Sequence, residues 1–418
     1  AALTPCGAAR PLGLAVRHWA SGHDGRARAY RPLKGSDPRN LTHRLAGLAK
    51  AGKPDVALAA LRGSRSAGLE VNAIHYNATI SAFARTGKWE AAAALLLEMQ
   101  REGAKRDCVS YNAAVSACER GGQWQAALAL ASEMETLGIQ RDTITYNATI
   151  SASGRGERWE VALALFSEMH ARGISRTAVS HNAAVSACER SSRWLLAVAL
   201  LAAMPSSQVR PDGISFNVAI SSCEKASEWE HSLALAAAMQ AKQVPRSAVT
   251  YSALVASCGR SSRWQMALQL FAGMEQERVR RDVVAYNATI NACARGAQAQ
   301  AALSVLAEMG GRSLVPDIVS YGAALGACAA ASAAGGAGAA SAGIWMEVLA
   351  LLAAMSSACV QGNFLTYTAA VSACEACGQR APALVLLTEM AERGISRGPR
   401  GQAPRGSFLP PPPPRRRA

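Results

Sequence analysis

Tyr76-Asn77-Ala78-Thr79-Ile80 returns as Tyr111-Asn112-Ala113-Ala114-Val115 and again as Tyr146-Asn147-Ala148-Thr149-Ile150, 35 residues later each time. The register continues at His181-Asn182, Phe216-Asn217, Tyr251-Ser252, Tyr286-Asn287 and Tyr321-Gly322. Tyr367-Thr368 follows after 46 residues, and the eleven extra residues fall in the Ala/Gly/Ser tract 331–343. Three further columns keep the same step. They are Trp89 to Trp264, then Trp345; Met99 to Met309, then Met355 and Met390; and Cys118, Cys188, Cys223, Cys258, Cys293, Cys328 and Cys374. Four columns in step over nine copies establish an internal repeat.

Within one copy, Tyr76 to Ala84 reads as a short helix with Tyr76, Ile80, Phe83 and Ala84 on one face. Thr86-Gly87 breaks it, Trp89 to Arg101 reads as a second helix carrying Ala92, Leu96 and Met99, and Gly103 ends that helix. A lone pair of this kind cannot bury its apolar faces, so neighbouring pairs must stack into a solenoid. Large Trp and Met columns in such a stack fill the space between helix pairs, and this outweighs a cofactor box or aromatic cage. The Cys column fits where two helices approach closely.

Composition agrees. Half the residues are apolar and only 5% aromatic, with abundant Ala, which favours packed helices over a β-sandwich and excludes a fully disordered chain. No long uncharged apolar run suggests a membrane span. No secretory signal is visible, so the eleven cysteines read as reduced thiols, and the lone Cys374-x-x-Cys377 lacks the partners of a metal site. Of the net charge of +15, residues 1–40 hold +5 and Arg397 onward holds +6, which leaves +4 for the centre. Bulk charge therefore does not identify a partner.

Four columns carry chemistry. The fifth position is Asn77, Asn112, Asn147, Asn182, Asn217, Ser252 and Asn287, then Gly322 and Thr368. An amide in a first helical turn either makes a local cap or offers a donor and an acceptor to a base edge. The last position is Asp107, Asp142, Thr177, Asp212, Ser247, Asp282 and Asp317, then Asn363 and Gly398. It reads as a solvated turn residue or as a charge at a helix N-terminus. The second position is aliphatic throughout: Ile74, Val109, Ile144, Val179, Ile214, Val249 and Val284, then Val319 and Leu365. Its plain role is core packing. The thirteenth position is Arg85, Arg120, Arg155, Arg190, Lys225, Arg260 and Arg295, then Ala330 and Ala376. These cations either cap the first helix or draw a line of positive charge, with the acids kept to the outer face.

A period of 35 admits a tetratricopeptide solenoid, which uses 34 residues and cradles peptides. The chain instead resembles the pentatricopeptide repeat family of RNA-binding proteins. Val109-Ser110-Tyr111-Asn112, Ser132-Glu133-Met134 and Gly138-Ile139-Gln140-Arg141-Asp142 carry the resemblance, and Arg210-Pro211-Asp212 and Val315-Pro316-Asp317 match the family's Pro-Asp ending. It spans about residues 38–398. The resemblance implies an all-α, right-handed superhelical α-solenoid of nine repeats over 73–398, preceded by a degenerate repeat at 38–72 with Thr42 and Asn72 in place. It also implies that the fifth and last positions jointly read one base of single-stranded RNA per repeat, that the second-position aliphatics sandwich the bases, and that the thirteenth-position cations lie near the phosphates. The family's pairing code, read from N to C along RNA running 5′ to 3′, then gives A-U-U-Y-U-C-G-U. The last two repeats depart at the fifth and thirteenth positions and are expected to read weakly.

No catalytic constellation is present. No His is followed two residues later by Glu as zinc deaminases require, the acids are dispersed, and Gly335-Gly336-Ala337-Gly338 lacks a phosphate-loop Lys. Neither a cofactor nor a metal is expected, and any chemistry falls to protein partners. The tract 331–343 is expected to be a loop between the helices of its repeat. The tail 399–418, with Pro410 to Pro414 and then Arg415 to Arg417, reads as extended and disordered. Residues 1–37 are Arg-rich and acid-poor, as organelle transit segments are, and begin with Ala, so the N-terminus is expected to extend further. An organelle address, chloroplast before mitochondrion, is the expectation. The competing class is a protein-interaction solenoid without RNA. A peptide groove would call for varied or carboxylate-clamping residues rather than uniform Asn and Asp.

Overall fold

The computed structural model describes residues 38–334 and 343–395. The basic N-terminal segment, residues 335–342 of the insertion and the Pro/Arg-rich tail lie outside the described residues. Among the described residues there are twenty α-helices, one short 3-10 turn and no strand.

The helices pair as the period predicts. The second helix of the repeat 73–107 runs Trp89–Arg101, and Gly103 follows it in the left-handed region at φ 71°. The first helix starts earlier than its apolar face suggests, at Ala73, and ends at Thr86. The reason is Asn72, whose side chain accepts the His75 amide and holds three more residues in helix. The degenerate repeat also forms a helix pair, Pro38–Lys50 and Pro54–Ser66. The insertion is only partly a loop: the helix Ile318–Ala334 continues through 331–334, since Ala and Ser carry it on until the glycines begin. The partner helix of that repeat is Ile344–Ser357.

The chain divides into two compact parts, Ala1–Ser257 and Cys258–Ala418. In the first part, the first helices of successive repeats (Ala73–Thr86, Cys108–Arg120, Thr143–Arg155, Ala178–Arg190, Gly213–Lys225) pack side by side. The second helices Trp89–Arg101, Trp124–Thr136, Trp159–Ala171 and Trp194–Ala203 each pack on the first helix of their own repeat and of the next. In the second part Val283–Arg295, Ile318–Ala334 and Phe364–Ala376 repeat the arrangement. Each part therefore has a wall of first helices.

Between the layers sits the core. Met99, Met134, Met169, Met204, Met239, Met274 and Met309 are fully buried, and so is the Cys column. Burying one such Met stabilises by about 1.5–3 kcal/mol. The Trp column is only half-buried. Trp89 to Trp264 each open a second helix, and Trp89, Trp124 and Trp264 lean on the turn of the next repeat at Gly121, Gly156 and Gly296, where a Cβ would clash with the indole. Arg158 lies over Trp124 and Arg193 over Trp159, each 5.1 Å from the ring centre. Among the described residues no cysteine is in a disulfide.

A second buried device links Tyr, Glu and Arg. The Tyr111 hydroxyl donates to Glu133 Oε1 at 2.9 Å, and Arg106 reaches the same oxygen at 2.8 Å. Tyr146, Glu168 and Arg141 repeat it, as do Tyr286, Glu308 and Arg281. Two repeats that lose the phenol also lose the acid: His181 accompanies Ala203, and Phe216 accompanies Ala238. Burial keeps the His181 imidazole below its ordinary pKa, and its ring stands edge-on to Phe166.

Candidate nucleic-acid interface

The last position of each repeat turns out to be the N-cap of the next first helix. Asp107, Asp142, Thr177, Asp212, Asp282 and Asn363 each have extended backbone and a side chain that accepts the amide three residues on. In five repeats the residue at that third position carries a hydroxyl or ring nitrogen that completes a reciprocal capping box: His75, Ser110, Thr145, Ser180 and Ser215. The cap role therefore belongs to the last position. The fifth-position Asn lies beyond the first turn and caps nothing.

The fifth-position amides reach the last residue of their own repeat, the cap of the next first helix. Asn77 Nδ2 donates to both oxygens of Asp107, at 3.2 and 3.4 Å, and Asn112 Nδ2 to both of Asp142, at 3.1 and 3.0 Å. Asn287 Nδ2 meets Asp317 Oδ1 at 3.1 Å. The two columns expected to act together are thus in direct contact. Burial pushes the carboxyls of Asp107, Asp142, Asp212 and Asp317 up. Hydrogen bonds from the backbone and hydroxyl three residues on, and from the Asn, outweigh that and hold all four below the ordinary range.

The second-position column is not core. Ile74, Val109, Ile144, Val179, Ile214, Val249, Val284, Val319 and Leu365 are 56–73% exposed. A shallow pocket on the first-helix wall shows how they sit: Ile144 and Val179, from successive repeats, flank it together with Asn147 and Asn182, and Ser116 and Ser151 also line it. It is an apolar slot with amides in it.

The thirteenth-position cations lie at the ends of the first helices. Arg85 donates to the Lys50 carbonyl and Arg120 to the Arg85 carbonyl, each at 3.3 Å, so each caps the preceding repeat's first helix. The expectation that acids stay on the outer face fails here. Glu119 lies 3.7 Å from Arg155, and Glu189 lies 2.9 Å from Lys225. The line of positive charge is interleaved with carboxylates one position before it. Arg190, Arg260 and Arg295 end their helices in the same way.

The columns, their helix pairs and their side-by-side first helices define one repeat type. The chain belongs to the pentatricopeptide repeat family. Family models match it as a pentatricopeptide repeat-containing protein over residues 43–169, as the PPR repeat family over 246–295 and as a PPR repeat over 284–314. Among curated proteins, none matches. Its pentatricopeptide array is similar to the solved pentatricopeptide repeat protein PPR10 in complex with an 18-nt psaJ RNA element. That likeness has 17% identity and a TM-score of 0.60, and covers 86% of this chain and 56% of that one. It is also similar to PPR10 from maize, at 20% identity and TM-score 0.56, covering 93% and 63%. The chain spans less than two thirds of the length of these solved structures.

The third-position hydroxyls of this pentatricopeptide array were not singled out from the sequence. They were available as a column, since Ser110, Thr145, Ser180, Ser215, Thr250 and Ser320 keep the period. Among the described residues no His/Cys/Asp/Glu group could hold a metal ion, and no helix is long and apolar enough to cross a membrane.

Proposed function

We propose that this protein binds single-stranded RNA along its first-helix walls, about one base per repeat, and serves organellar RNA metabolism without catalysing a reaction itself. The observation that carries this reading is the exposed aliphatic column. A β-branched side chain at 56–64% exposure adds little to the fold, yet Ile or Val stands at that place in eight successive repeats. Two neighbours of this kind, one residue layer apart with an amide between them, suit a flat base inserted edge-first. The aliphatics shield its faces from water, and the Asn/Asp pair meets its polar edge. A solved structure of similar fold holds an 18-nt RNA element, which supports the same reading.

In the pair, Asn offers an N–H and Asp offers a lone pair, which is the complement of a keto oxygen beside an imino N–H. Uracil presents that edge, so repeats 73–107, 108–142, 178–212 and 283–317 are assigned to U. Partners supply any chemistry, and the basic segment 1–37 directs the protein to an organelle, chloroplast in preference to mitochondrion.

The test is binding of the full chain to arrayed RNA oligomers. A-U-U-Y-U-C-G-U single strands should be retained, with affinity falling as salt rises because phosphates are neutralised. Equal retention of a purine run would remove the base assignments, and failure to retain any single strand would remove RNA binding. A reporter fused to residues 1–37 tests the address; a cytosolic reporter would reject it.

A further inference from the structure

Every fifth-position Asn is followed 33 residues later by Ser or Thr: Asn77 by Ser110, Asn112 by Thr145, Asn147 by Ser180, Asn182 by Ser215, Asn217 by Thr250 and Asn287 by Ser320. The one Ser in that column, Ser252, is followed by Ala285. A capping box alone does not explain the pattern. Asp282 caps its helix on the Ala285 amide with no hydroxyl at that place, while Asp107 and Asp142 use the same cap with one. Across the repeats of uninterrupted period the hydroxyl follows the amide, not the cap; after the insertion, Thr366 keeps a hydroxyl behind Gly322 and bonds to its cap Asn363 instead.

The geometry gives it a task. Ser110 Oγ lies 2.7 Å from Asn77 Oδ1, Thr145 Oγ1 2.5 Å from Asn112 Oδ1, and Ser215 Oγ 2.7 Å from Asn182 Oδ1. Thr250 Oγ1 lies 2.6 Å from Asn217 Oδ1 and Ser320 Oγ 2.6 Å from Asn287 Oδ1. An amide has two flip states of nearly equal shape and opposite hydrogen-bond polarity. A hydroxyl that donates to Oδ1 selects one of them. Ser110, Thr145, Ser215 and Ser320 also lie 2.6–3.0 Å from Oδ1 of the cap Asp, so their one proton is shared between carboxylate and amide, whereas Thr250, with no carboxylate at its cap, gives its proton to Asn217.

We propose that the third-position hydroxyls Ser110, Thr145, Ser215, Thr250 and Ser320 are positioning residues for base selection: each fixes which end of the preceding repeat's Asn faces the RNA. This rests on the base-reading function proposed above. With Oδ1 held inward, Nδ2 keeps one N–H for the carboxylate, where there is one, and one for the base. The base must then offer an acceptor at that atom, such as a keto oxygen. An amide free to flip accepts an amino group as well and loses the distinction.

The array holds its own graded series. In repeats 73–107, 108–142 and 283–317, a hydroxyl lies on Oδ1 and an Asp holds Nδ2, and in repeat 178–212 the Ser215 hydroxyl lies on Asn182 Oδ1 beside Asp212. In repeat 213–247 the last residue is Ser247, so the Thr250 hydroxyl acts without a carboxylate. In repeat 143–177, Ser180 turns its hydroxyl to Thr177 at 3.1 Å, and Asn147 Oδ1 is buried without a partner. Neither side holds that amide.

The experiment measures anisotropy of the full chain with labelled RNAs that differ at one nucleotide, scanned along the site. Preference for uracil over cytosine should be greatest opposite the two-sided repeats and absent opposite 143–177; opposite 213–247, where the family's pairing code gives C, the held amide predicts instead a smaller preference for uracil. Thr250→Val should abolish the preference opposite 213–247, a fall of about five- to tenfold, the weight of one hydrogen bond. Thr250→Ser should retain it, and Thr145→Val should lose less because Asp142 still holds Asn112. Thermal melts separate these effects from loss of fold, and the series in the parent chain needs no variant. A preference opposite 143–177 equal to that opposite 108–142, or full preference in Thr250→Val, would overturn this inference alone. Absence of any single-nucleotide preference in the parent would overturn the base-reading function with it.

Discussion

Replacing Asp107 separates its two duties. Its carboxylate accepts the Ser110 amide at 2.8 Å, lies 2.6 Å from the Ser110 hydroxyl, and takes the Asn77 amide at 3.2 Å. Asp107→Ala removes the cap of the helix Cys108–Arg120, worth about 1 kcal/mol, and a charge at the helix N-terminus, worth about 0.3–1 kcal/mol. The groups it strands are half-buried and regain water in part, so the expected loss is about 1–2 kcal/mol. Asp107→Asn keeps an acceptor in the same place and should lose only the charge, about 0.5 kcal/mol.

Because stability in a solenoid is a sum over repeats and their interfaces, the assay must report locally. Hydrogen exchange of the amides in Cys108–Arg120, alongside a urea titration of the whole chain, does so. pH adds a second axis. The Asp107 pKa is depressed in the fold, so its contribution is complete above the ordinary carboxylate range and disappears as pH falls through the lower folded value. The gap between the parent and Asp107→Asn should therefore close on acidification. Parental exchange rates in Asp107→Ala, or a gap that widens in acid, would refute the reasoning.

Three further outcomes are expected. Glu168→Ala should cost about 2–3 kcal/mol, because it leaves Arg141, only 8% exposed, with Glu135 as its remaining acid; Tyr146→Phe added to that background should change little, which a double-mutant cycle in urea reads as coupling. Ala297 sits at φ 53°, where L residues are strained by about 1–2 kcal/mol, so Ala297→Gly should stabilise by up to about 1 kcal/mol after glycine's entropy is counted, seen as a raised Tm. Burial pushes the thiols of Cys188, Cys223, Cys258 and Cys293 from 9.0 to about 11, so the stability they contribute is intact below pH 9 and is lost as pH rises through about 11; melting followed from pH 8 to 11 checks this, and an unchanged Tm would contradict it.

Some of this architecture was legible in the residues because it is written in single columns. Met99 and its successors are the same residue in the same environment, so period and hydropathy together place them in the core. The second helix was legible to its ends, Trp89 and Arg101, since an aromatic opens it and Gly103 closes it. The first helix was misjudged at its start because its cap, Asn72, sits outside the apolar pattern. What was hidden needs two columns from different helices read together. Asn77 with Ser110 and Tyr111 with Glu133 are separated by 33 and 22 residues, and no local rule joins them; the pairing of Asn77 with Asp107 was expected only through the family resemblance. The acids beside Arg155 and Lys225 were missed for the same reason, as Glu119 and Glu189 belong to the preceding repeats. The insertion was misread at 331–334 because composition does not say where an Ala-rich helix stops.

Comparison among the repeats separates what the fold needs from what it does not. The charge network Glu135, Arg141, Glu168 and Arg172 returns 140 residues later as Glu275, Arg281, Glu308 and Arg312. Two repeats between them give up the phenol and its acid together, at His181 with Ala203 and Phe216 with Ala238, the next keeps Tyr251 but has Gly273 in place of the acid, and all three still form helix pairs. Stability devices here are dispensable repeat by repeat, as expected when many small terms sum to the whole. The second position behaves otherwise. A β-branched residue there lowers helix propensity slightly and, at 57% exposure for Val109 or 62% for Val179, buries little. Ala would serve the isolated chain better at each of these places. A feature that repeats without helping its own fold finds its cause outside the chain, and the spacing of that feature, one per helix pair beside one amide, is the spacing such a partner must match.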